Sequence, residues 1–232
     1  MDQRKHLILS AIIKEHIRTG IPVGSSGLVE KYKLNISSAT VRNEMVFLEE
    51  TGYIIQPHIS AGRIPTEKAY RFYVENLKIK KISEKEEKLI IEALRFQDEK
   101  CFKATAKILA KISDNAVFWA FHRHNLYYTG ISNLLQQPEF APSNTNLIYD
   151  ISTIIDRMDE IIDEIFDNIQ EEVSIALGSE NPFGNFCSSI MTKYKKGNDI
   201  GMFGIISPMR MNYEKNLATV KFIREQIDKK KN

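Results

Sequence analysis

Residues 37–66, SSATVRNEMVFLEETGYIIQPHISAGRIPT, decide how the first part of this chain folds. A serine side chain can accept a hydrogen bond from a free backbone N–H group at the start of a helix, so Ser37 or Ser38 is the predicted N-cap. The apolar residues that follow have the i, i+4, i+7 spacing of one helical face: Val41, Met45 and Leu48. Thr51 and Gly52 end this helix, because glycine is a poor helix former.

The second half of the stretch predicts a β-hairpin. Residues 53–60 begin with aromatic and β-branched side chains, SAG supplies turn residues, and RIPT can return as a second strand. The negative potential of a DNA backbone or minor groove favours arginine, and Gly62 lets the backbone approach closely. We therefore expect Arg63 at the tip of a hairpin that contacts DNA, with His58 as a second candidate.

Two further helices are predicted before residue 37. Asp2 can cap the first helix and Gly20 can end it. The apolar stripe of this helix consists of Leu7, Ile8, Ala11, Ile12 and Ile17. Ser25 is the predicted N-cap of a short second helix. Three helices, the last two joined by a tight turn and followed by a hairpin, predict a winged helix-turn-helix whose third helix enters the major groove.

The exposed side of the third helix carries groups that can reach base edges and phosphates. They are hydroxyls, a guanidinium and an amide: Ser37, Ser38, Thr40, Arg42 and Asn43. Residues 1–80 contain 12 Lys plus Arg against 8 Asp plus Glu, an excess that by itself favours DNA binding only slightly. The helices alone are equally consistent with a packing or protein-contact unit, and it is the hairpin that favours DNA.

Composition excludes several classes of protein. The chain has 232 residues, 43% of them apolar, and can bury a sizeable core. No long apolar run or secretory signal is visible, so we expect a cytoplasmic protein without a membrane span. Cys101 and Cys187 lie far apart, which disfavours a disulfide framework and a cysteine zinc site.

The remainder of the chain predicts an α+β domain. Residues 78–113 have dense mixed charge and helical periodicity, and we interpret them as a linker and helical spacer. Residues 114–232 contain four strand-like segments, AVFWAF, LYYTGI, VSIALG and IGMFGIIS. They also contain a long amphipathic helix at residues 150–172 and a C-terminal helix, MNYEKNLATVKFIREQI. Together with the winged helix at 1–77, this gives three predicted parts and an α+β fold class.

Two clusters of side chains could suggest catalysis or a metal. His122 and His124 lie in one predicted turn, but no cysteine or carboxylate has ligand spacing from them. A row of acids runs along the helix at 150–172: Asp156, Asp159, Asp163 and Asp167. A carboxylate row opposite an isoleucine row is typical of a solvated helix face, and the ExxH motif of a di-iron bundle is missing. We therefore expect no enzyme activity, metal or cofactor.

Residues 37–54 and 57–74 resemble the N-terminal domain of the HrcA family, the heat-inducible transcription repressors of bacteria. Three later segments resemble the C-terminal region of that family in the same order: LYYTGISNLLQQPEF, IALGSEN and GIISPMRMNYEKNLATV. The resemblance implies a winged-helix repressor with a GAF-like domain that binds, as a homodimer, an inverted-repeat operator in the double-stranded DNA of chaperone operons. Heat would release the repressor, and the GroE chaperonin would maintain its active form.

By motif position the resemblance assigns DNA contacts to seven residues: Ser37, Ser38, Thr40, Arg42, Asn43, His58 and Arg63. The chain departs from the family after residue 113, where it lacks further strands and an inserted dimerisation domain. Its GAF-like domain is therefore reduced, and a dimer contact through the helix at 150–172 is one possibility. An alternative function is a ligand-sensing regulator whose small-molecule pocket is lined by Trp119, Tyr127 and Tyr128.

Overall fold

The computed structural model describes residues 1–140, 145–169 and 171–229, and the chain divides into two compact units, 1–77 and 78–232. The N-terminal unit contains four helices and a two-stranded sheet. Its elements are α1 (Gln3–Thr19), α2 (Ser25–Tyr32), α3 (Ser38–Glu50), β1 (Ile54–Ile55), β2 (Ile64–Pro65) and α4 (Glu67–Glu75). This is the element order of a winged helix-turn-helix.

Local hydrogen bonds fix most helix ends of the N-terminal unit. The side chains of Asp2, Ser37 and Thr66 accept from backbone N–H groups at the starts of α1, α3 and α4. Gly20 ends α1 in the left-handed conformation, with φ of 71°. Two predictions were wrong in detail. Gly24 rather than Ser25 is the N-cap of α2, and no side chain caps that helix; Leu7 is 56% exposed, because the buried face of α1 is turned towards Leu9 and Ile13.

The predicted hairpin forms, but its strands are short. Ile54 pairs with Pro65 and Ile55 pairs with Ile64 in antiparallel register. Residues 56–63 therefore form the connecting loop, and Arg63 stands at its end, next to β2. The prediction that Arg63 occupies the tip was wrong, since the tip lies at residues 58–61, where the Ala61 N–H donates to the His58 carbonyl at 3.0 Å.

The second unit is a five-stranded antiparallel sheet with helices on both faces, which confirms the α+β prediction. Its elements are α5 (Glu84–Ala93), α6 (Glu99–Ser113), β3 (Ala116–His122), β4 (Asn125–Thr129), α7 (Ile131–Leu135), α8 (Thr145–Asp156), α9 (Met158–Ile165), β5 (Ser174–Leu177), β6 (Cys187–Lys196), β7 (Asp199–Pro208) and α10 (Tyr213–Lys229). The strand order is β4-β3-β7-β6-β5. The two helices of residues 78–113, α5 and α6, lie inside this unit.

Sequence patterns missed β6, an inner strand of the sheet. Its sequence, CSSIMTKYKK, contains serines and lysines instead of the β-branched alternation that marks an exposed strand. Both faces of β6 are covered, and its buried hydroxyls find acceptors inside the protein: the Ser188 hydroxyl donates to the Pro208 carbonyl at 2.8 Å. A buried strand with satisfied polar groups carries no clear periodic signal.

The long helix predicted at 150–172 is instead two helices, since α8 ends at Asp156 and α9 ends at Ile165. Their apolar side chains pack on the sheet of their own unit, among Phe118, Met191 and Met202. Ile151, Met158 and Ile162 are at most 2% exposed. The apolar row of these helices is therefore used within the chain, which argues against the dimer contact suggested for it.

An aromatic stack forms the core on the other face of the sheet. Trp119 is fully buried, with ring centroids 5.0 Å from Phe102 of α6 and 4.4 Å from Phe203 of β7. Its indole N–H donates to the Tyr194 hydroxyl at 2.9 Å. Burial raises the pKa of that hydroxyl well above its usual range. Trp119 is thus a fully buried core residue, whereas Tyr128, which the alternative function places beside it, is 44% exposed.

Ion pairs involve two acids of the predicted row, Asp163 and Asp167. The Arg123 guanidinium lies 2.7 Å from an Asp163 carboxylate oxygen and 2.6 Å from one of Asp167. His124 is 3.8 Å from the same Asp163 oxygen. The HRHN turn between β3 and β4 therefore faces the acids of α9 and the turn that follows it. No described helix has both the length and the apolar character needed to cross a membrane.

Candidate nucleic-acid interface

One edge of α3 presents polar side chains to solvent. Ser38, Arg42 and Asn43 are exposed, whereas Val41 and Met45, on the opposite side, are buried against the unit. A helix whose inner face is fully packed holds its outer face in a fixed orientation. The α3 edge therefore offers a hydroxyl, a guanidinium and an amide on one rigid element.

Two of the predicted site residues also build the start of α3. The Ser37 hydroxyl oxygen accepts from the Thr40 N–H at 3.1 Å, and it lies 2.9 Å from the Thr40 hydroxyl. Ser37 is exposed and Thr40 is half-buried. Both side chains are therefore held at the surface by the cap, which fixes their positions beside the α3 edge.

Charges of α1 offset the negative charge of α3. The Lys5 ammonium lies 3.2 Å from the Glu44 carboxylate, and the Arg4 guanidinium lies 3.5 Å from it. Hydrogen bonds to Asp2 and then to Glu44 raise the pKa of Lys5 above its usual range. The same ammonium lies 4.8 Å from the ring centre of Phe47. These contacts reduce the repulsion that an acidic side chain on α3 would exert on a polyanion.

A cleft of about 460 Å³ separates the start of α2, the middle of α3 and the base of the hairpin. Its lining includes Ser25, Ser26, Gly27, Arg42, Gln56 and Ser60. The first N–H groups of a helix have no acceptor within that helix, and no side chain caps α2. The residues that carry these donors line the cleft together with Arg42. Such an arrangement suits an anion such as phosphate.

Sequence reasoning missed this contribution of α2. The sequence predicts Ser25 as the N-cap, and a capping side chain would occupy N–H donors that have no side-chain partner in the structure. Gly24 at the N-cap was the available signal, since glycine fills that position without offering a side-chain oxygen atom.

The tip of the hairpin carries an imidazole and an apolar side chain. His58 is exposed, and Ile59 is 93% exposed. Ser60 adopts a left-handed φ of 68°, and the Gln56 side-chain amide donates to the Ala61 carbonyl at 3.1 Å. These contacts order the loop. His58 therefore lies at the surface as predicted, at the position that had been assigned to Arg63.

Arg63 is turned into the N-terminal unit. Its side chain is 19% exposed, and its Nε and Nη2 atoms lie 2.9 and 2.8 Å from Oε2 of Glu49, in the last turn of α3. The Arg63 backbone exchanges two hydrogen bonds with Val23, both of 2.9 Å. Charge pairing with a residue fourteen positions earlier draws the side chain away from the loop tip.

Gly62 allows the Arg63 and Val23 backbones to lie close enough to pair. A Cβ atom at this position would lie 2.6 Å from the carbonyl carbon and oxygen of Val23. A Cβ atom essentially never lies this close to an atom to which it is not bonded, so the close approach of the two backbones requires glycine. The close contact that Gly62 allows is therefore made to Val23 of the same unit, before α2, whereas the sequence interpretation had assigned it to DNA.

Comparison with known proteins gives the family. The model of the "HrcA protein C terminal domain" matches residues 34–217. A curated relative from Thermobifida fusca (strain YX) is 34% identical over 186 residues, which are 76% of this chain and 53% of the relative. One from Pelotomaculum thermopropionicum is 55% identical over 91 residues, 39% of this chain and 26% of the relative. In these matches the chain spans about half of the relative or less.

A relative from Carboxydothermus hydrogenoformans is 28% identical over 335 positions, covering 98% of this chain and 97% of the relative. Since this chain has 232 residues, that relative contains residues without a counterpart here. All three relatives are named "Heat-inducible transcription repressor HrcA". A crystal structure described as "a hypothetical protein at 2.2 A resolution" superposes with a TM-score of 0.75 at 18% identity, covering 99% of this chain and 97% of that one, and supports the fold. The chain belongs to the HrcA family.

Proposed function

We propose that this protein is a transcription repressor without catalytic activity that binds a specific DNA sequence. The observation that carries the proposal is the exposed α3 edge beside the uncapped start of α2. Groups that are able to read base edges and groups that are able to bind phosphate lie on adjacent elements, as recognition of one DNA segment requires. The names of the relatives, heat-inducible transcription repressors, support the same function.

In this proposal α3 lies in the major groove. Asn43 can form two hydrogen bonds with an adenine, and Arg42 can bind guanine or a phosphate at the edge of the groove. Ser37, Ser38 and Thr40 supply hydroxyls at the start of the helix, where a backbone phosphate is closest. The N-terminal N–H groups of α2 bind the phosphate beside it. His58 contacts the sugar-phosphate backbone or the minor groove from the hairpin.

We further propose that the protein binds an inverted repeat as a homodimer. One winged helix covers a single half-site, and two linked half-sites supply the affinity and spacing of specific binding. Release of the repressor on heat stress, control of chaperone operons and modulation by the GroE chaperonin follow from the family resemblance. Because the apolar rows of α8 and α9 are buried within the chain, the dimer must use another surface.

Fluorescence anisotropy tests the proposal. The purified chain is titrated against a labelled duplex that contains the inverted repeat upstream of the organism's chaperone operons, and against a scrambled duplex of equal length. We expect binding to the repeat to be about a thousandfold tighter, with affinity falling as salt concentration rises. Sedimentation of the complex should give two chains for each duplex. Equal affinity for the two duplexes would contradict the proposal.

A further inference from the structure

Glu49 joins the end of α3 to both sides of the hairpin. Its Oε1 atom accepts a hydrogen bond from the Gln56 backbone N–H at 3.1 Å, directly after β1. Its Oε2 atom accepts from the Arg63 guanidinium, directly before β2. One carboxylate thus holds the two ends of the loop against the helix that carries the proposed base-reading residues. We call Glu49 and Arg63 the latch pair.

The latch pair is part of a three-way junction. The Arg63 backbone pairs with Val23, which lies just before α2, and Gly62 permits that approach. The segment before α2, the end of α3 and the base of the hairpin therefore meet at one point. Two guanidinium nitrogens of Arg63 reach one Glu49 oxygen, and the Gln56 N–H binds the other oxygen. Because these charge-assisted contacts restrict all three residues, the latch pair fixes the angle between the hairpin and α3.

The pairing of the Arg63 charge with Glu49 also argues against a direct contact between Arg63 and DNA phosphate. Residues 54–65, IIQPHISAGRIP, contain no lysine and no arginine other than Arg63. Because Glu49 pairs with its guanidinium, the hairpin presents DNA with no lysine or arginine that is free of a partner. Arg63 also lines the cleft at the start of α2, but its Nε and Nη2 donors face Glu49 and its Nη1 lies 3.5 Å from the Ala61 carbonyl. Its side chain is only 19% exposed, whereas a phosphate contact requires donors that face outwards.

Taken with the proposed DNA-binding function, on which it rests, this geometry leads us to infer that Glu49 and Arg63 are positioning residues for sequence recognition. They hold the hairpin at the correct angle beside α3, and Arg63 makes no phosphate contact of its own. The inference assigns a role to Glu49, an acidic residue that electrostatics alone would count as unfavourable for DNA binding.

The variant Glu49→Gln separates the two roles of Arg63 by the sign of its effect. Glutamine keeps an acceptor for the Gln56 N–H but removes the negative charge. If Arg63 bound phosphate, the variant would release the guanidinium and bind DNA as well as the wild type or more tightly. If the latch pair positions the hairpin, Glu49→Gln and Arg63→Ala each weaken binding to the inverted repeat about tenfold. The double variant is then no weaker than either single variant, because the pair acts as a unit.

Salt dependence gives a second readout from the same titrations. Loss of a phosphate contact reduces the slope of log affinity against log salt concentration by about one. A positioning role leaves that slope unchanged in Arg63→Ala, since no cation has left the interface. Glu67→Gln is the matched control: it breaks the Arg71 to Glu67 pair on α4, of 2.6 Å and similar exposure, and should leave operator affinity unchanged.

Hydrogen exchange of the free protein supplies a readout that needs no DNA. We expect amides of residues 54–63 to exchange faster in Glu49→Gln and Arg63→Ala than in the wild type, with α1 and α4 unchanged. If the wild type discriminates between duplexes and Glu49→Gln binds the repeat as tightly, the inference is overturned and the proposed function stands. If the wild type shows no discrimination, the proposed function fails and the inferred role in recognition fails with it.

Discussion

The two units use the same kinds of side chain for different purposes. In the N-terminal unit, Ser38 and Asn43 lie at the surface with an apolar face packed behind them. In the second unit, Asn181 is buried, and its amide donates to the Ala176 carbonyl at 3.0 Å and to the Ser189 hydroxyl at 3.2 Å. A hydroxyl or amide therefore indicates a contact residue only where its hydrogen-bonding groups remain free of the protein's own backbone.

The largest expected effect concerns the core of the second unit. Trp119→Ala removes a fully buried ring from the stack with Phe102 and Phe203 and should lower the free energy of unfolding of this unit by about 3–5 kcal/mol. Calorimetry should show an earlier transition for the second unit, with that of the N-terminal unit unchanged. Tyr128→Ala, at a residue 44% exposed on the neighbouring strand, is the control and should cost less than about 1 kcal/mol. Equal losses of unfolding free energy in the two variants would show that Trp119 contributes no more to stability than a half-exposed aromatic residue.

Gly62→Ala should have the next largest effect, in the N-terminal unit. The added Cβ must displace the backbone of Val23, which cannot repack as a side chain can, and we expect a loss of stability of about 3 kcal/mol. Thermal unfolding measures it. Gly27→Ala is the matched control, because a Cβ there meets nothing within 4 Å and alanine favours the helix. A Gly62→Ala protein as stable as the wild type would mean that the Val23 backbone can move away from the added Cβ at no cost in stability.

Substitutions on the α3 edge should change recognition while leaving stability intact. Asn43→Ala or Arg42→Ala should weaken binding to the inverted repeat by about 1–3 kcal/mol and reduce discrimination against the scrambled duplex. Both side chains are exposed, so the melting temperature should stay within the error of the wild type. Anisotropy titrations measure the ratio of the affinities for the inverted repeat and the scrambled duplex. Unchanged discrimination in both variants would remove the α3 edge from the recognition surface.

The smallest expected effect is the pH response of an ion pair in the second unit. The Lys215 ammonium, 2.8 Å from Glu86, together with the Ser83 cap, lowers the pKa of that carboxyl from 4.5 to about 2. A lowered folded pKa gives stability that is present above pH 4.5 and is lost as the pH falls through about 2. Because Lys215 is 40% exposed, the effect should be below about 1 kcal/mol.

Melting temperatures of the wild type and Glu86→Gln, measured across that pH range, test this response. The difference between the two proteins should shrink as the pH falls, because protonation of Glu86 removes the charge that glutamine also lacks. Parallel curves would show that the pair contributes nothing to stability.

Sequence periodicity and capping predicted the parts of the fold that depend on neighbours in the chain. The cap at Ser37, the left-handed end at Gly20 and the buried face at Val41, Met45 and Leu48 all follow from interactions within a few residues. The same holds for the hairpin between β3 and β4, whose HRHN turn is adjacent to both strands. The exposure of Ser38, Arg42 and Asn43 follows from the same helical spacing.

Tertiary structure decided whatever depends on a distant partner. Arg63 could be placed only by knowing that Glu49 lies within reach, and Gly62 only by knowing that Val23 passes beside it. The strand β6 was hidden because its serines have partners inside the folded unit: Ser188 donates to the Pro208 carbonyl of β7, and Ser189 accepts from the Asn181 amide. A local pattern records which face of an element is apolar, but a charge or a hydrogen-bonding group is assigned its role by whatever the folded chain brings next to it.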